Sequence, residues 1–133
     1  MPKISIIIPT YNESQHLPLL LSDLSISNEE AEIIIVDCNS EDKTREIGNL
    51  YGSKIYKSIK KNRGLQLNIG AKKATGKWFL FIHADSRLRQ GWLKKVKSLI
   101  KYDENFVYFF KFKINNTTIF YRFLEIVVNI RGY

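Results

Sequence analysis

Apolar positions along the chain follow two rhythms, short unbroken runs and helical recurrences, and they alternate. Lys3–Pro9, "KISIIIP", is a β-branched run that predicts a buried strand. "TYNES" breaks it, and Leu17, Leu20, Leu21 and Leu24 then recur at helical spacing. Pro18 fits only near a first turn, so that helix is expected to begin between Glu13 and Gln15. Residues 32–38, "EIIIVDC", predict a second buried strand closing on an acid. Ser40 stands where a helix cap is needed, with Ile47 and Leu50 expected inward and Gly52 ending the helix. "KIYK", 54–57, predicts a third strand, and 64–75 a helix with Leu65, Ile69 and Ala74 inward, closed by Gly76. Residues 77–83 predict a fourth strand, buried, and Trp92, Leu93, Val96, Leu99 and Ile100 mark a fourth helix. Beyond residue 102 the pattern changes. "FVYFFKFKI", 106–114, alternates like a strand, and 117–131 carries Phe120, Phe123, Leu124, Val127 and Val128 on one side of a helix.

Strand–helix alternation over the first hundred residues predicts an α/β fold, a mostly parallel open sheet with helices on both faces. Residues 1–105 are expected to form this domain. Residues 106–133 would be a strand plus an amphipathic helix that starts a further, incomplete half. Ligands of such sheets sit beyond the carboxyl ends of the strands. Pro9–Glu13, Asp37 and Asp85 all fall at such ends and are expected to share one rim.

Charge sharpens this picture. The 133 residues carry a formal net charge of +8, unevenly spread. Residues 1–53 hold 3 basic and 9 acidic side chains, whereas 54–101 hold 14 basic side chains and one acid, Asp85. So basic a middle third suits an anionic partner, although a solvated lysine face accounts equally well for many of these residues. Asp85 is then an acid with a reason to be there. It either caps the following helix or offers carboxylate oxygens to a divalent cation on a phosphorylated ligand. His83, two positions earlier, can reach the same side of an extended turn, although a lone histidine is more often a packed one. Tyr11 could stack on a base or sugar, and Asn12 and Glu13 could hydrogen-bond to it or start the helix. Asp37 could accept from a base or a ribose hydroxyl, or form an Asx-type turn leading to Ser40. Arg63, opening a predicted helix, could pair with a phosphate. No P-loop and no G-x-G-x-x-G fingerprint is present. Cys38 is the only cysteine, so no internal disulfide forms, as suits a reducing compartment. The N-terminus enters an apolar strand almost at once, without a basic leader or cleavage pattern, so a signal peptide is not expected, and no apolar run approaches the length a membrane span needs.

Four segments, "SIIIPTYNE", "IIIVDCNSEDKT", "NRGLQLNIGAKKATGKWFLFIHADSRL" and "GWL", carry a resemblance to family 2 glycosyltransferases of the GT-A fold. They stand in that family's order and spacing over about residues 3–93. The variant with H-A-D resembles a bacterial subgroup. The resemblance implies that Pro9, Thr10, Tyr11 and Glu13 line the nucleotide pocket, that Asp37 bonds the base, most often uracil, and that Arg63 sits near the phosphates. Asp85 would be the last aspartate of the D-x-D motif, holding Mn²⁺ or Mg²⁺. His83 takes the place of its first aspartate, a weaker ligand, and Cys38 and Asn39 replace the second aspartate and the glycine of V-D-D-G-S. The resemblance also implies an inverting enzyme whose catalytic base lies downstream of this chain, which would make the chain a donor-binding part.

The leading expectation is therefore a glycosyltransferase donor-binding domain for a nucleotide-diphospho-sugar, a UDP-sugar above others. One alternative is a module that binds nucleotide sugar or a partner without turnover. Another is a nucleic-acid binder, disfavoured because the bases are not interleaved with exposed aromatics and no nucleic-acid motif appears. The apolar side of 117–131 suggests self-association through 106–131 or contact with an anionic membrane, aided by Lys111, Lys113 and Arg122. The expected location is the cytoplasm, including the inner face of the membrane.

Overall fold

The computed structural model describes residues 4–25, 30–101 and 107–108. The chain divides into two compact units, Met1–Lys101 and Tyr102–Tyr133. The elements described belong to the first. The strand expected at 106–114 and the helix expected at 117–131 lie outside the described residues.

In chain order the elements are β1 (Ile4–Thr10), α1 (Leu17–Leu24), β2 (Ala31–Asp37), α2 (Thr44–Leu50), β3 (Lys54–Lys57), α3 (Arg63–Lys73), β4 (Trp78–Phe81) and α4 (Trp92–Ile100). The sheet order is β3-β2-β1-β4, and every pairing is parallel. This is the α/β fold that the alternation predicts. Strand order reverses beside β1: β2 and β3 lie on one side of it and β4 on the other. The carboxyl ends of β1 and β4 therefore flank a topological switch point, where open α/β sheets hold their ligands.

The period of two in the strands assigns their side chains to two layers. Ile4, Ile6, Ile8, Ile33, Ile35 and Leu80 face α1 and α4, packing with Leu17, Leu20, Leu21, Leu24, Trp92 and Val96. Ile7, Ile34 and Val36 face the other way, against Leu67, Ile69 and Ala71 of α3. Because both faces of β1 and β2 are covered, both strands are apolar along nearly their whole length rather than alternating. Among the described residues no helix is long and apolar enough to cross a membrane.

Several local expectations are corrected. α1 begins at Leu17, not between Glu13 and Gln15. His16 and Leu17 amides donate to the Glu13 carbonyl at 3.1 and 2.9 Å, but the Ser14 amide is drawn outward to Asp42 Oδ2. α2 begins at Thr44, and Ser40 does not cap it. The Ser40 hydroxyl turns in to Asp37 instead. Leu50, expected inward, is 84% exposed. The inward face of α2 is set by Thr44 and Gly48, one turn apart, and a Cβ on Gly48 would lie 2.8 Å from Ile35 Cδ1. Leu50 is two residues from Gly48, about 200° round the helix. In α3 the fully buried positions are Gln66 and Gly70, while Leu65, Ile69 and, just past the helix end, Ala74 are half-buried. α3 crosses so close to the sheet that a Cβ on Gly70 would stand 2.4 Å from Ile7 Cγ2.

β4 differs most. It ends at Phe81 rather than His83, and Phe79 and Phe81 are 46% and 49% exposed. Their register partners are Ser5 and Ile7, so they share the α3 face of the sheet. α3 lies over β1 and β2 and leaves the β4 side of that face open among the described residues. The two rings meet edge to face, with centroids 6.2 Å apart.

Candidate active site

Two loops at the carboxyl rim, β1–α1 and β2–α2, are fastened to each other. The Asn12 amide donates to Ser40 Oγ at 2.8 Å, and Asn12 Oδ1 accepts from the Glu41 amide at 2.9 Å. The Glu13 amide donates to Thr44 Oγ1 at 2.8 Å and the Ser14 amide to Asp42 Oδ2 at 3.0 Å. Asn12 and Asn39 adopt left-handed backbone, with φ of 53° and 50°, a conformation asparagine tolerates better than most residues. Burial would raise the Asp42 carboxyl, but hydrogen bonds from Thr44 and Ser14 outweigh it and hold the pKa down to about 2.

Asp37 is the buried keystone of this pair of loops. Its Oδ1 accepts from the Thr10 hydroxyl at 2.9 Å and from the Ser40 hydroxyl, and its Oδ2 accepts from the Ser40 amide at 2.9 Å. Arg45 brings Nε to 3.7 Å of Oδ2 and donates from Nη2 to the Ser40 carbonyl at 3.2 Å. The Asx-type turn considered from sequence is thus present. The Asp37 side chain is fully buried, and both of its oxygens are engaged by groups of the protein itself.

Of the four residues expected to line the pocket after β1, Pro9 and Thr10 are buried, Glu13 is half-buried and Tyr11 is exposed. The Lys61 ammonium sits 3.9 Å from the centre of the Tyr11 ring, a cation–π contact that brings the loop before α3 to the end of β1. α3 is seated there by Gln66. Its Nε2 donates to the carbonyls of Thr10 and Val36 at 3.0 and 2.8 Å, bridging the ends of β1 and β2. Asn62 caps the helix through the Leu65 amide at 3.0 Å. Arg63 therefore opens α3 at the same rim, exposed, just after Lys60 and Lys61. Basic side chains around a helix N-terminus favour an anion.

Asp85 and His83 follow β4 on the far side of the switch point. Both are exposed, and a turn closes between them through the Ser86 amide and His83 carbonyl at 3.1 Å. Among the described residues neither side chain has a hydrogen-bond or ion-pair partner, and no group of three His, Cys, Asp or Glu gathers as a complete metal cage. One free carboxylate with one free imidazole fits a divalent ion that takes its remaining ligands from phosphate oxygens and water.

The structure thus gathers Thr10, Tyr11, Glu13, Asp37 and Arg63 around the ends of β1 and β2 and sets Asp85 and His83 beyond β4. Sequence reasoning missed Asp42, Thr44, Arg45 and Gln66. Asp42 and Thr44 stand in the quoted "SEDKT" and Gln66 in "NRGLQLN", but their partners lie 28 to 56 residues away, beyond the reach of any local pattern.

Comparison with known proteins gives the family and the fold. The model of glycosyl transferase family 2 matches residues 5–132. The chain is 29% identical over 122 residues to the poly(ribitol-phosphate) beta-N-acetylglucosaminyltransferase TarS of Staphylococcus aureus, a match covering 85% of the chain and 21% of TarS. It thus spans about a fifth of that relative's length. The crystal structure of S. aureus TarS 1-349 in complex with UDP superposes with a TM-score of 0.66 at 29% identity, covering 74% of this chain and 32% of that one. Glucosyl-3-phosphoglycerate synthase of Mycobacterium tuberculosis, crystallised with Mn²⁺, UDP and glucosyl-3-phosphoglycerate, shares the fold at a TM-score of 0.58 and 18% identity, over 65% of this chain and 36% of that one.

Proposed function

The chain belongs to glycosyl transferase family 2, and we propose that it binds a nucleotide-diphospho-sugar, a UDP-sugar, together with Mn²⁺ or Mg²⁺, for transfer of the sugar to an acceptor. The observation that carries this reading is the switch point beside β1. It has an exposed aromatic ring and a basic helix start on one side and, on the other, a carboxylate without a partner among the described residues. The UDP complex of TarS, at 29% identity, supports the choice of nucleotide.

In this reading Tyr11 offers its ring to the base, with Thr10 and Asp37 shaping the floor behind it and Glu13 the side. Arg63, with Lys60 and Lys61 beside it, balances the diphosphate. Asp85 and His83 hold the metal, which when bound neutralises charge on the departing diphosphate. Fixed cations and a prebuilt rim contribute by holding the leaving group in place. The family resemblance supports an inverting outcome. In residues 106–133 the apolar positions of the sequence support packing against an acceptor half, a second copy or an anionic membrane.

Calorimetric titration of the chain with UDP, GDP and dTDP, with and without Mn²⁺, tests the proposal. UDP is expected to bind in preference to the others and more tightly when Mn²⁺ is present. Absence of binding by any of the three, at millimolar ligand, would overturn it.

A further inference from the structure

Residues 82–91 link β4 to α4 and carry His83 and Asp85. The link is anchored in three places. At its start the Ile82 amide donates to the Ile7 carbonyl at 3.2 Å, prolonging the β1–β4 ladder. Next, Ala84 is buried in the core layer shared with α1 and α4. The third anchor is Asp23, near the end of α1. Its carboxylate accepts both Arg87 Nε at 2.7 Å and Arg87 Nη2 at 3.0 Å, a two-pronged pairing. The same Oδ2 accepts the Leu88 amide at 3.0 Å, and the Asp23 carbonyl accepts Trp92 Nε1 at 3.0 Å.

Four hydrogen bonds from residues 87–92 thus converge on one residue of another helix. An exposed ion pair by itself adds little to stability. The Leu88 bond is different in kind, because it fixes backbone, and that backbone begins three residues after Asp85. Asp85 therefore lies between a buried Ala84 and a clamped Arg87–Leu88, on a chain held from both sides, while its own carboxylate stays free among the described residues. Arg87 is also accounted for. It lies in the most basic stretch of the chain, yet its guanidinium is committed to Asp23 rather than free for phosphate.

We infer that Asp23 is a positioning residue: through Arg87 and the Leu88 amide it fixes the segment that carries Asp85, and so sets where that carboxylate meets a divalent cation on a nucleoside diphosphate. This rests on the donor-site reading above. Partners that orient a metal ligand from behind are typically worth about 10–100-fold in metal affinity.

The test is calorimetric titration of the full chain with UDP, with and without Mn²⁺, for wild type, Asp23→Ala, Asp85→Ala and the double variant. Asp23→Ala is expected to cut the Mn²⁺-dependent gain in UDP affinity about tenfold while leaving metal-free UDP binding unchanged. In the Asp85→Ala background the same substitution should change nothing further, because Asp23 acts through Asp85. Arg87→Lys keeps the charge but loses the fork, and should reproduce a smaller part of the loss. Amide hydrogen exchange gives a readout that needs no ligand: Asp23→Ala should speed exchange at Ser86 and leave Ile6–Ile8 of β1 protected. An undiminished Mn²⁺ gain in Asp23→Ala, or additive losses in the double variant, would overturn the inference. So would unchanged exchange at Ser86. A wild-type chain that binds UDP equally with and without Mn²⁺ would instead overturn the metal part of the donor reading, leaving the exchange result to decide whether the clamp holds the segment.

Discussion

At the carboxyl end of β2, Asp37 is 0% exposed and accepts from the Thr10 hydroxyl, the Ser40 hydroxyl and the Ser40 amide, with Arg45 3.7 Å away. Beyond the carboxyl end of β4, Asp85 is exposed and has no partner among the described residues. Both are aspartates, both follow apolar strands that flank β1, and both open on one rim. What separates them is the hydrogen bonds already made. A carboxylate desolvated and satisfied within the protein maintains shape, whereas one left exposed and unsatisfied is available to a ligand. Topology brings acids to the rim, but the surrounding donors decide what each can do there.

Removing the first should therefore damage the fold. Asp37→Ala leaves the Thr10 and Ser40 hydroxyls without their acceptor, frees Arg45, and unfastens the β2–α2 turn from β1. The expected loss is about 3 kcal/mol, in the range for breaking a buried hydrogen-bonded charge. Asp37→Asn keeps one acceptor oxygen and should lose less. Urea unfolding at neutral pH measures both. If Asp37→Ala matches wild type in stability, the distinction drawn between the two aspartates collapses.

The opposite end of the sheet offers a second closed carboxylate to sharpen the contrast. Glu32, at the start of β2, accepts from Ser5 Oγ at 2.5 Å, Lys54 Nζ at 2.7 Å, and the Thr75 amide and hydroxyl at 2.6 and 2.9 Å. It ties the turn between α3 and β4 to the first two strands. Burial would raise its pKa, but the hydrogen bonds from Lys54, Ser5 and Thr75 outweigh that and bring it from an ordinary 4.5 down to about 2. A lowered carboxyl stabilises the fold above the unfolded value and loses that contribution as the pH falls toward the folded one. Stability should thus decline between about pH 4.5 and pH 2, with Glu32 contributing about 2 kcal/mol after allowance for the half-exposed Lys54. Asp42, also held near 2, titrates in the same window. Glu32→Gln should be less stable than wild type at pH 7 and show a shallower decline in thermal midpoint across that window. An equally steep decline in the variant would remove Glu32 from the account.

The same contrast explains how much was legible beforehand. β1 and β2 are covered on both faces, so their unbroken isoleucine runs announced them, and the order of elements fixed a parallel sheet with its acids at one rim. The misreadings occur where burial depends on a distant partner. Gln66 is polar yet buried, because it bridges carbonyls 56 and 30 residues away, and helical periodicity counts it as surface. Leu50 is apolar yet exposed, because Thr44 and Gly48 turn α2 the other way. Phe79 and Phe81 are apolar and half-exposed because α3 lies over β1 and β2 instead. At the site, the carboxylates themselves were found from strand ends and charge. Their opposite circumstances were not, since the donors to Asp37 come from Thr10, 27 residues earlier, as well as from the adjacent Ser40 turn.

The smallest expected effect on folding comes from Asp85, and it is the most informative one. Asp85→Ala removes a side chain that is exposed and makes no hydrogen bond or ion pair among the described residues. Surface changes of this kind stay within about 0.5 kcal/mol, so its unfolding curve should overlay that of wild type. Binding should behave otherwise. If Asp85 holds the cation on a nucleoside diphosphate, the variant still binds UDP through the base pocket and Arg63 but gains nothing from added Mn²⁺. His83→Ala should lose only part of that gain, since a neutral imidazole is a weaker ligand for such an oxygen-preferring ion than a carboxylate. Calorimetry with and without Mn²⁺, set beside the unfolding curves, separates the cases. A stable Asp85→Ala chain that keeps the full Mn²⁺ gain would show that the ion is held elsewhere and that the exposed carboxylate is not the ligand-facing one. A destabilised Asp85→Ala chain would show that it is structural after all, and the two strand-end aspartates would differ in degree rather than in role.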